Sequence, residues 1–185
     1  MCGIAGFLAV RAPPRRELES RLWAMIATLR HRGPDDEGVW TDGRTGLAHA
    51  RLSIIDPSPA GHPPMASADG TVWITYNGEI YNFAQIRQDL EALGYPFRSR
   101  SDTEVIANGW HAWGPRIFTR LRGMFALAIW DRRSRQLILA RDRLGKSRFT
   151  TLRPPRPFCS AQRSRQCSPG QACRVSRICR RSTVT

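Results

Sequence analysis

Cys2 stands directly behind the initiator Met1, so removal of Met1 leaves one residue carrying both a thiol and a free α-amine. An α-amine titrates near about 7.7–8.0 and can take the thiol proton around neutral pH, directly or through one water, while the thiolate attacks an acyl carbon. The small Gly3 beside it leaves room for a substrate. Position alone favours a second reading, in which Cys2 is a small buried residue of a first strand. Asn77-Gly78 forms a turn pair, and Ser101-Asp102-Thr103-Glu104 has the form of a helix capping box. The other cysteines, Cys159, Cys167, Cys173 and Cys179, are spaced by 8, 6 and 6 residues with no Cys-x-x-Cys pair and no neighbouring His, a poor pattern for zinc.

The elements that must position these groups can be read from periodicity. Leu18, Leu22, Met25, Ile26 and Leu29 share one helical face over residues 15–30, and Pro34 stops the helix. Residues 46–55 read as a strand, and residues 71–76 as another that ends in a tight turn at Asn77-Gly78. Phe83, Ile86, Leu90 and Leu93 return to helical spacing, with Gly94 as the C-cap, and a further helix opens at Ser101. Residues 124–130 and 136–140 read as two strands joined by the polar turn Asp131-Arg132-Arg133-Ser134. Strands and helices mix without a regular βαβ period, which predicts an α+β layered domain.

Six segments in order resemble one family. They are Met1-Cys-Gly-Ile-Ala-Gly-Phe, His31-Arg-Gly-Pro-Asp-Asp-Glu-Gly38, Ala48-His-Ala-Arg-Leu-Ser-Ile-Ile-Asp56, Tyr76-Asn-Gly-Glu-Ile-Tyr-Asn82, Ser101-Asp-Thr-Glu104 and Gly123-Met-Phe-Ala-Leu-Ala-Ile-Trp-Asp131. Over residues 1–146 the chain resembles the N-terminal class II glutamine amidotransferase domain of the glutamine-hydrolysing asparagine synthetases. The Arg-Gly-Pro-Asp-Asp-Glu-Gly segment is similar to that branch rather than to the glucosamine-phosphate or phosphoribosylamine branches. The resemblance implies an N-terminal-nucleophile (Ntn) hydrolase fold, a four-layer αββα sandwich, here incomplete.

It also implies roles. Cys2 would be the nucleophile and its freed α-amine the general base and later acid, with thioester formation releasing ammonia and water then releasing glutamate. The Asn77 side-chain amide and the Gly78 backbone N–H would hold the oxyanion, aimed by a tight turn without a Cβ, each donor contributing about 3–4 kcal/mol. Arg51 would hold the α-carboxylate of L-glutamine through two parallel hydrogen bonds. Asp102 would meet the α-ammonium with help from Glu79, a role compatible with capping its helix. Leu52, Ser53, Ile54 and Ile55 would continue the strand behind Arg51 as the pocket wall, and residues 31–38 would form a loop over the pocket. His31 and His49 are not needed as bases. No cofactor or metal is expected in this chain. ATP and magnesium belong to the synthetase half, whose Ser-Gly-Gly-x-Asp-Ser loop does not occur in the 185 residues, so asparagine synthesis by this chain alone is not expected. An amide-forming relative with an acceptor other than aspartate is the alternative within the family.

The resemblance stops at Lys146. Residues 1–146 carry 20 basic and 15 acidic residues, a net of +5, whereas residues 147–185 carry nine Arg and no acid, so most of the +14 belongs to the tail. A basic nucleic-acid-binding protein is the competing class, but the tail has no aromatic interleaving beyond Phe149 and Phe158, and no specific nucleic-acid partner is expected. No apolar run approaches the roughly 18 residues of a spanning helix and no basic region precedes the first apolar residues, which predicts a cytoplasmic protein without a membrane partner. Residues 147–185 show neither strand nor helix period and read as disordered. The family continues with Lys-Pro-Leu-Tyr-Tyr and later Phe-Ala/Gly-Ser-Glu. Codons for residues 147–167 can be written so that one restored A yields Lys-Pro-Leu-Tyr-Tyr-Ala-Pro-Ala-Ala-Ala-Ala-Val-Leu-Phe-Gly-Ser-Glu-Val-Lys-Ala-Met. The tail is therefore expected to be out of frame. Resequencing the locus should show the neighbouring frame running without stops through Phe-Gly-Ser-Glu into a Ser-Gly-Gly-x-Asp-Ser loop, and absence of the restored codons would mean a natural Arg-rich tail.

Overall fold

The computed structural model describes residues 1–9 and 12–147 together with three short backbone strands at 150–152, 158–161 and 176–177. In chain order the first half holds β1 (Gly3–Leu8), α1 (Arg15–Ala27), β2 (Asp36–Asp42), β3 (Thr45–Arg51), β4 (Met65–Ala66) and β5 (Val72–Ile80). The second half holds α2 (Phe83–Ala92), α3 (Asp102–Trp113), α4 (Ile117–Arg120), β6 (Gly123–Asp131), β7 (Gln136–Arg141), β8 (Thr150–Leu152), β9 (Phe158–Ala161) and β10 (Ser176–Arg177). The strands form two sheets, in the orders β2-β3-β1-β9-β8 and β10-β7-β6-β5-β4. Among the described strands only the β10–β7 pair is parallel.

Alternation along each strand sorts the apolar residues into three contact zones. Ala5, Phe7, Ala48 and Ala50 turn outward and pack under Leu18, Leu22 and Ile26 of α1. Leu8, Leu47, Ala128, Trp130 and Leu137 turn inward and fill the space between the sheets, with Trp40 stacked on Trp73 at 4.6 Å. Val72, Ile74, Leu127 and Ile129 face Ile86, Leu90, Val105 and Ile106 of α2 and α3. The result is the αββα layering. Burying one such Leu or Ile contributes about 1.5–3 kcal/mol. The exposed helix ion pairs Arg15–Glu19 and Arg87–Glu91 contribute only about 0.3–0.5 kcal/mol each, so burial rather than charge holds the layers. Among the described residues no helix is long and apolar enough to cross a membrane.

The three long helices fall where periodicity places them, and Gly94 takes the left-handed φ of +84° just past α2. Other elements differ from expectation. β5 does not end in a turn at Asn77-Gly78 but runs on to Ile80, with Asn77 opposite Ala126 and Gly78 opposite Phe125. Glycine is required there by close approach, since a Cβ would fall 2.7 Å from Phe125 Cα and against the Met124 carbonyl oxygen. β3 stops at Arg51 instead of reaching Ile55, because both neighbours run out: Gly3 is opposite Ala50 and Asp36 opposite Arg51. Residues 31–38 form a 3-10 turn (Arg30–Arg32) and the start of β2, not a loop over the pocket. Most of the segment expected to be disordered lies outside the described residues; of its described strands, β9 pairs with β1, β8 with β9 and β10 with β7. A ladder is made by backbone groups, so a short segment of almost any composition can pair with the second edge of β1.

Replacing Gly78 by Ala should force β5 and β6 apart. Overpacking of this kind costs about 1–3 kcal/mol, so Gly78→Ala should lower the midpoint of thermal unfolding by roughly 2–10 °C. An unchanged midpoint would show that the two strands are not in the contact described.

Candidate active site

Cys2, Arg51, Leu52, Ile54, Ile55, Asn77, Gly78, Glu79 and Asp102 line one open cavity. Ser53 is not among its walls. Its N–H turns to the Asp35 carboxylate at 2.7 Å, away from the cavity.

The geometry starts at the first strand. Because Gly3 is opposite Ala50, Cys2 comes to lie beside the end of β3. The Leu52 N–H donates to Cys2 Sγ at 3.3 Å, and the thiol in turn reaches the Leu52 carbonyl at 3.7 Å. Arg32 Nε donates to the Cys2 carbonyl at 3.1 Å and fixes the backbone on the other side. Burial pushes the Cys2 thiol above its ordinary range, opposed by the Leu52 N–H, the N-terminal charge and Arg51.

Arg51 is buried at the last position of β3, wrapped by the loop that follows it. Its Nη1 donates to the Ser58 carbonyl at 3.4 Å, its Nη2 to the Asp56 carbonyl, and the Asp36 carboxylate lies 3.8 Å away. Asp56 is itself buried and accepts from the N–H groups of Ser58 at 3.0 Å and Arg100 at 2.8 Å. The Ser58 hydroxyl, followed by these N–H groups, holds its carboxyl below the usual carboxylate range, and the bonds tie the Arg51 loop to the segment entering α3.

Strand β5 supplies the opposite wall. Asn77 alternates with Trp73 and Thr75 toward the sheet that carries Cys2, and the Thr75 hydroxyl donates across to the Ala48 carbonyl at 3.1 Å. Opposite Gly78, Phe125 gives its C=O to the Asp142 N–H at 2.9 Å and its N–H to the Asp142 carboxylate at 3.3 Å. In an antiparallel pair that exchanges no bonds, both residues point their backbone groups outward. Gly78 therefore turns its N–H away from β6, toward the side on which β4 has already ended.

Asp102 is the first residue of α3, one place past the cap. Ser101 is the N-cap, its Oγ accepting from the Thr103 N–H at 3.1 Å. The expected capping box is modified: Glu104 accepts from the N–H groups of Arg98 and Ser99 and from the Ser99 hydroxyl, while Ser101 N–H donates to Ser99 Oγ. Asp102 Oδ2 accepts from the Tyr76 hydroxyl at 2.7 Å and the Ile80 N–H at 3.1 Å. Burial pushes this carboxyl above the usual range, and the Tyr76 hydroxyl with the N–H groups of Ile80, Thr103 and Asp102 pulls it back. The Tyr76 hydroxyl is pushed up by burial and by the Asp102 charge, so it stays protonated.

His49 also lines the cavity, buried, with neither ring nitrogen partnered among the described residues. Burial, together with the charges of Arg51 and His62, brings its pKa down to about 3. His31 is exposed and outside the cavity. Among the described residues no group of three or more His, Cys, Asp or Glu is placed to hold a metal. Sequence reasoning missed Tyr76, Asp56 and Arg32. An aromatic in a β-branched run reads as core, and nothing local in the other two marks a long-range bond.

Residues 1–154 match the family model of the glutamine amidotransferase domain. The chain belongs to that family. It is 38% identical over 170 residues to asparagine synthetase (glutamine-hydrolyzing) 1 of Bacillus subtilis, covering 89% of this chain and 26% of that protein. It is 39% identical over 145 residues to asparagine synthetase (glutamine-hydrolyzing) 2 of Oryza sativa subsp. japonica, covering 78% of this chain and 24% of that protein. The amidotransferase domain thus spans about a quarter of the length of these asparagine synthetases and is homologous to their N-terminal glutaminase domain. In fold it is similar to the glutamine phosphoribosylpyrophosphate amidotransferase of B. subtilis, at a TM-score of 0.71 and 21% identity, covering 87% of this chain and 42% of that one. The αββα layering is accordingly that of the Ntn hydrolases.

In a preparation that retains Met1, alkylation of Cys2 followed across pH by peptide mass spectrometry should show a midpoint above that of free cysteine, which is about 8.5. A midpoint at or below that value would mean that burial does not dominate the thiol.

Proposed function

We propose that this domain hydrolyses L-glutamine to glutamate and ammonia through a thioester on Cys2, as the ammonia-producing part of an asparagine-synthetase-type enzyme. The observation that carries the reading is the convergence, on one cavity of a glutamine amidotransferase domain, of a nucleophile, an outward backbone N–H, a guanidinium and a carboxylate. Removal of Met1 places an α-amine on Cys2 itself, where it takes the thiol proton as sulfur attacks the side-chain amide carbon. The tetrahedral oxygen is held by the Asn77 amide and the Gly78 N–H. The α-ammonium then returns the proton to the leaving nitrogen, ammonia departs, and water activated by the same amine releases glutamate. His49 is a poor candidate for the base, because a pKa of about 3 makes it a weak proton acceptor at neutral pH. Arg51 holds the α-carboxylate, Asp102 with Glu79 the α-ammonium, and Leu52, Ile54 and Ile55 the aliphatic chain.

In the parent enzyme the ammonia would amidate aspartate in an ATP- and magnesium-dependent step, and that step belongs to sequence outside this domain. The frame change after Lys146 stands as part of the same proposal. β8 and β9 fall where the restored reading would place Tyr-Tyr-Ala and Val-Leu-Phe-Gly, segments of strand composition, which supports it.

Glutamate release from glutamine should be lost in Cys2→Ala. A glutamine-like electrophile should label Cys2 and none of the tail cysteines. Arg51→Ala should raise KM with little change in kcat, whereas Asn77→Ala should lower kcat by about 10²–10³-fold. Full activity in Cys2→Ala, or equal effects of Arg51→Ala and Asn77→Ala on both parameters, would overturn the assignment.

A further inference from the structure

Tyr76 lies on β5 among residues that face α2 and α3, yet its ring reaches the cavity and its hydroxyl ends 2.7 Å from Asp102 Oδ2. The same oxygen takes the Ile80 N–H at 3.1 Å. Both donors come from the side of β5 that lies past the end of β4, and both fall on Oδ2, which leaves Oδ1 outside these two bonds. The carboxylate also takes the backbone N–H groups of Thr103 and Asp102 at the helix start, and a buried carboxylate held by one hydroxyl and several backbone donors is fixed in direction and favoured as the anion. We propose that Tyr76 is a positioning residue for substrate recognition, its hydroxyl holding Asp102 as an oriented carboxylate for the α-ammonium of a free α-amino acid. This rests on the glutamine reading above and assigns the selectivity for free glutamine over des-amino amides to the Tyr76–Asp102 pair.

The sign of the pH effect follows from the groups that face Asp102. Cys2 approaches it from the residue before β1 and Glu79 from β5, Arg51 and the N-terminus stand across the cavity, and the Tyr76 hydroxyl is protonated at all working pH. Burial raises the Asp102 carboxyl and the Tyr76 O–H lowers it. Without that O–H the carboxyl takes up its proton at higher pH, and ammonium binding is lost earlier as pH falls.

The test is calorimetric titration of L-glutamine, and of its des-amino analogue 4-carbamoylbutanoate, into the full chain carrying Cys2→Ala, with and without Tyr76→Phe, from pH 5 to about 9. Tyr76→Phe should weaken glutamine by roughly tenfold at neutral pH. It should also move the acid limb of glutamine binding upward and leave the analogue unchanged. Equal weakening of both ligands, or an unmoved acid limb, overturns the proposal. Failure of the Cys2→Ala parent to bind glutamine at all overturns the glutamine reading itself and the proposal with it.

Discussion

The bare stretch of β5 past its short neighbour is the constraint on which the site depends. β4 is two residues long and pairs only with Trp73 and Ile74. Toward the start of β5 the edge is closed by Ser67, whose N–H and hydroxyl bond the backbone of Val72 at 2.8 and 3.0 Å. Toward its end the N–H of Ile80, a fully buried residue, needs a partner, because an orphaned donor there would cost about 1–3 kcal/mol. Asp102 supplies it. The Gly78 N–H between them carries no such cost, because Gly78 is exposed and can face solvent or a ligand. A longer β4 would satisfy the whole edge and leave neither an oriented carboxylate nor an outward amide.

What keeps the edge in place is packing on both faces of its sheet. α3 is buried from Asp102 through Trp110, so the helix cannot rotate its first residue away from β5 without opening the apolar zone that contains Val105 and Ile106. Glu104, also buried, accepts from three donors, the N–H groups of Arg98 and Ser99 and the Ser99 hydroxyl, and sets the direction of chain entry. On the other face, the Trp40–Trp73 stack and the Thr75 hydroxyl on Ala48 lock β5 against the sheet that holds Cys2. Cys2 and the Asn77-Gly78 pair thus reach the cavity from different sheets, and their spacing is set by the inter-sheet core.

Local pattern makes the helices legible: the 4, 3, 1, 3 spacing from Leu18 to Leu29 and the Ser101 cap correspond to α1 and α3. It also finds β6 and β7 to within a residue or so. The misreadings share one cause, which is that strand ends are set by neighbours rather than by composition. Asn77-Gly78 has the composition of a turn but continues a ladder with Ala126 and Phe125. Residues 52–55 have strand composition but lie beyond the first residues of β1 and β2. The candidate site was legible through motif order, which placed every expected residue but Ser53 on the cavity. Tyr76 and Asp56 were not legible, because their partners lie 26 and 44 positions away.

Asp56 shows why the two charged ends of the cavity act together. Arg51 gives Nη2 to the Asp56 carbonyl, and the Asp56 carboxylate takes the Arg100 N–H two residues before Asp102. One buried residue therefore braces both the guanidinium and the segment that delivers the carboxylate. A guanidinium has about five N–H donors, and the bonds to Ser58 and Asp56 leave others to face the cavity. The two groups are held by one strut, with a fixed separation, before any ligand arrives. On the glutamine reading proposed above, a zwitterionic head group that matches that separation would bind without reorganising either partner, and that binding would be spent on placing the distant amide at Cys2.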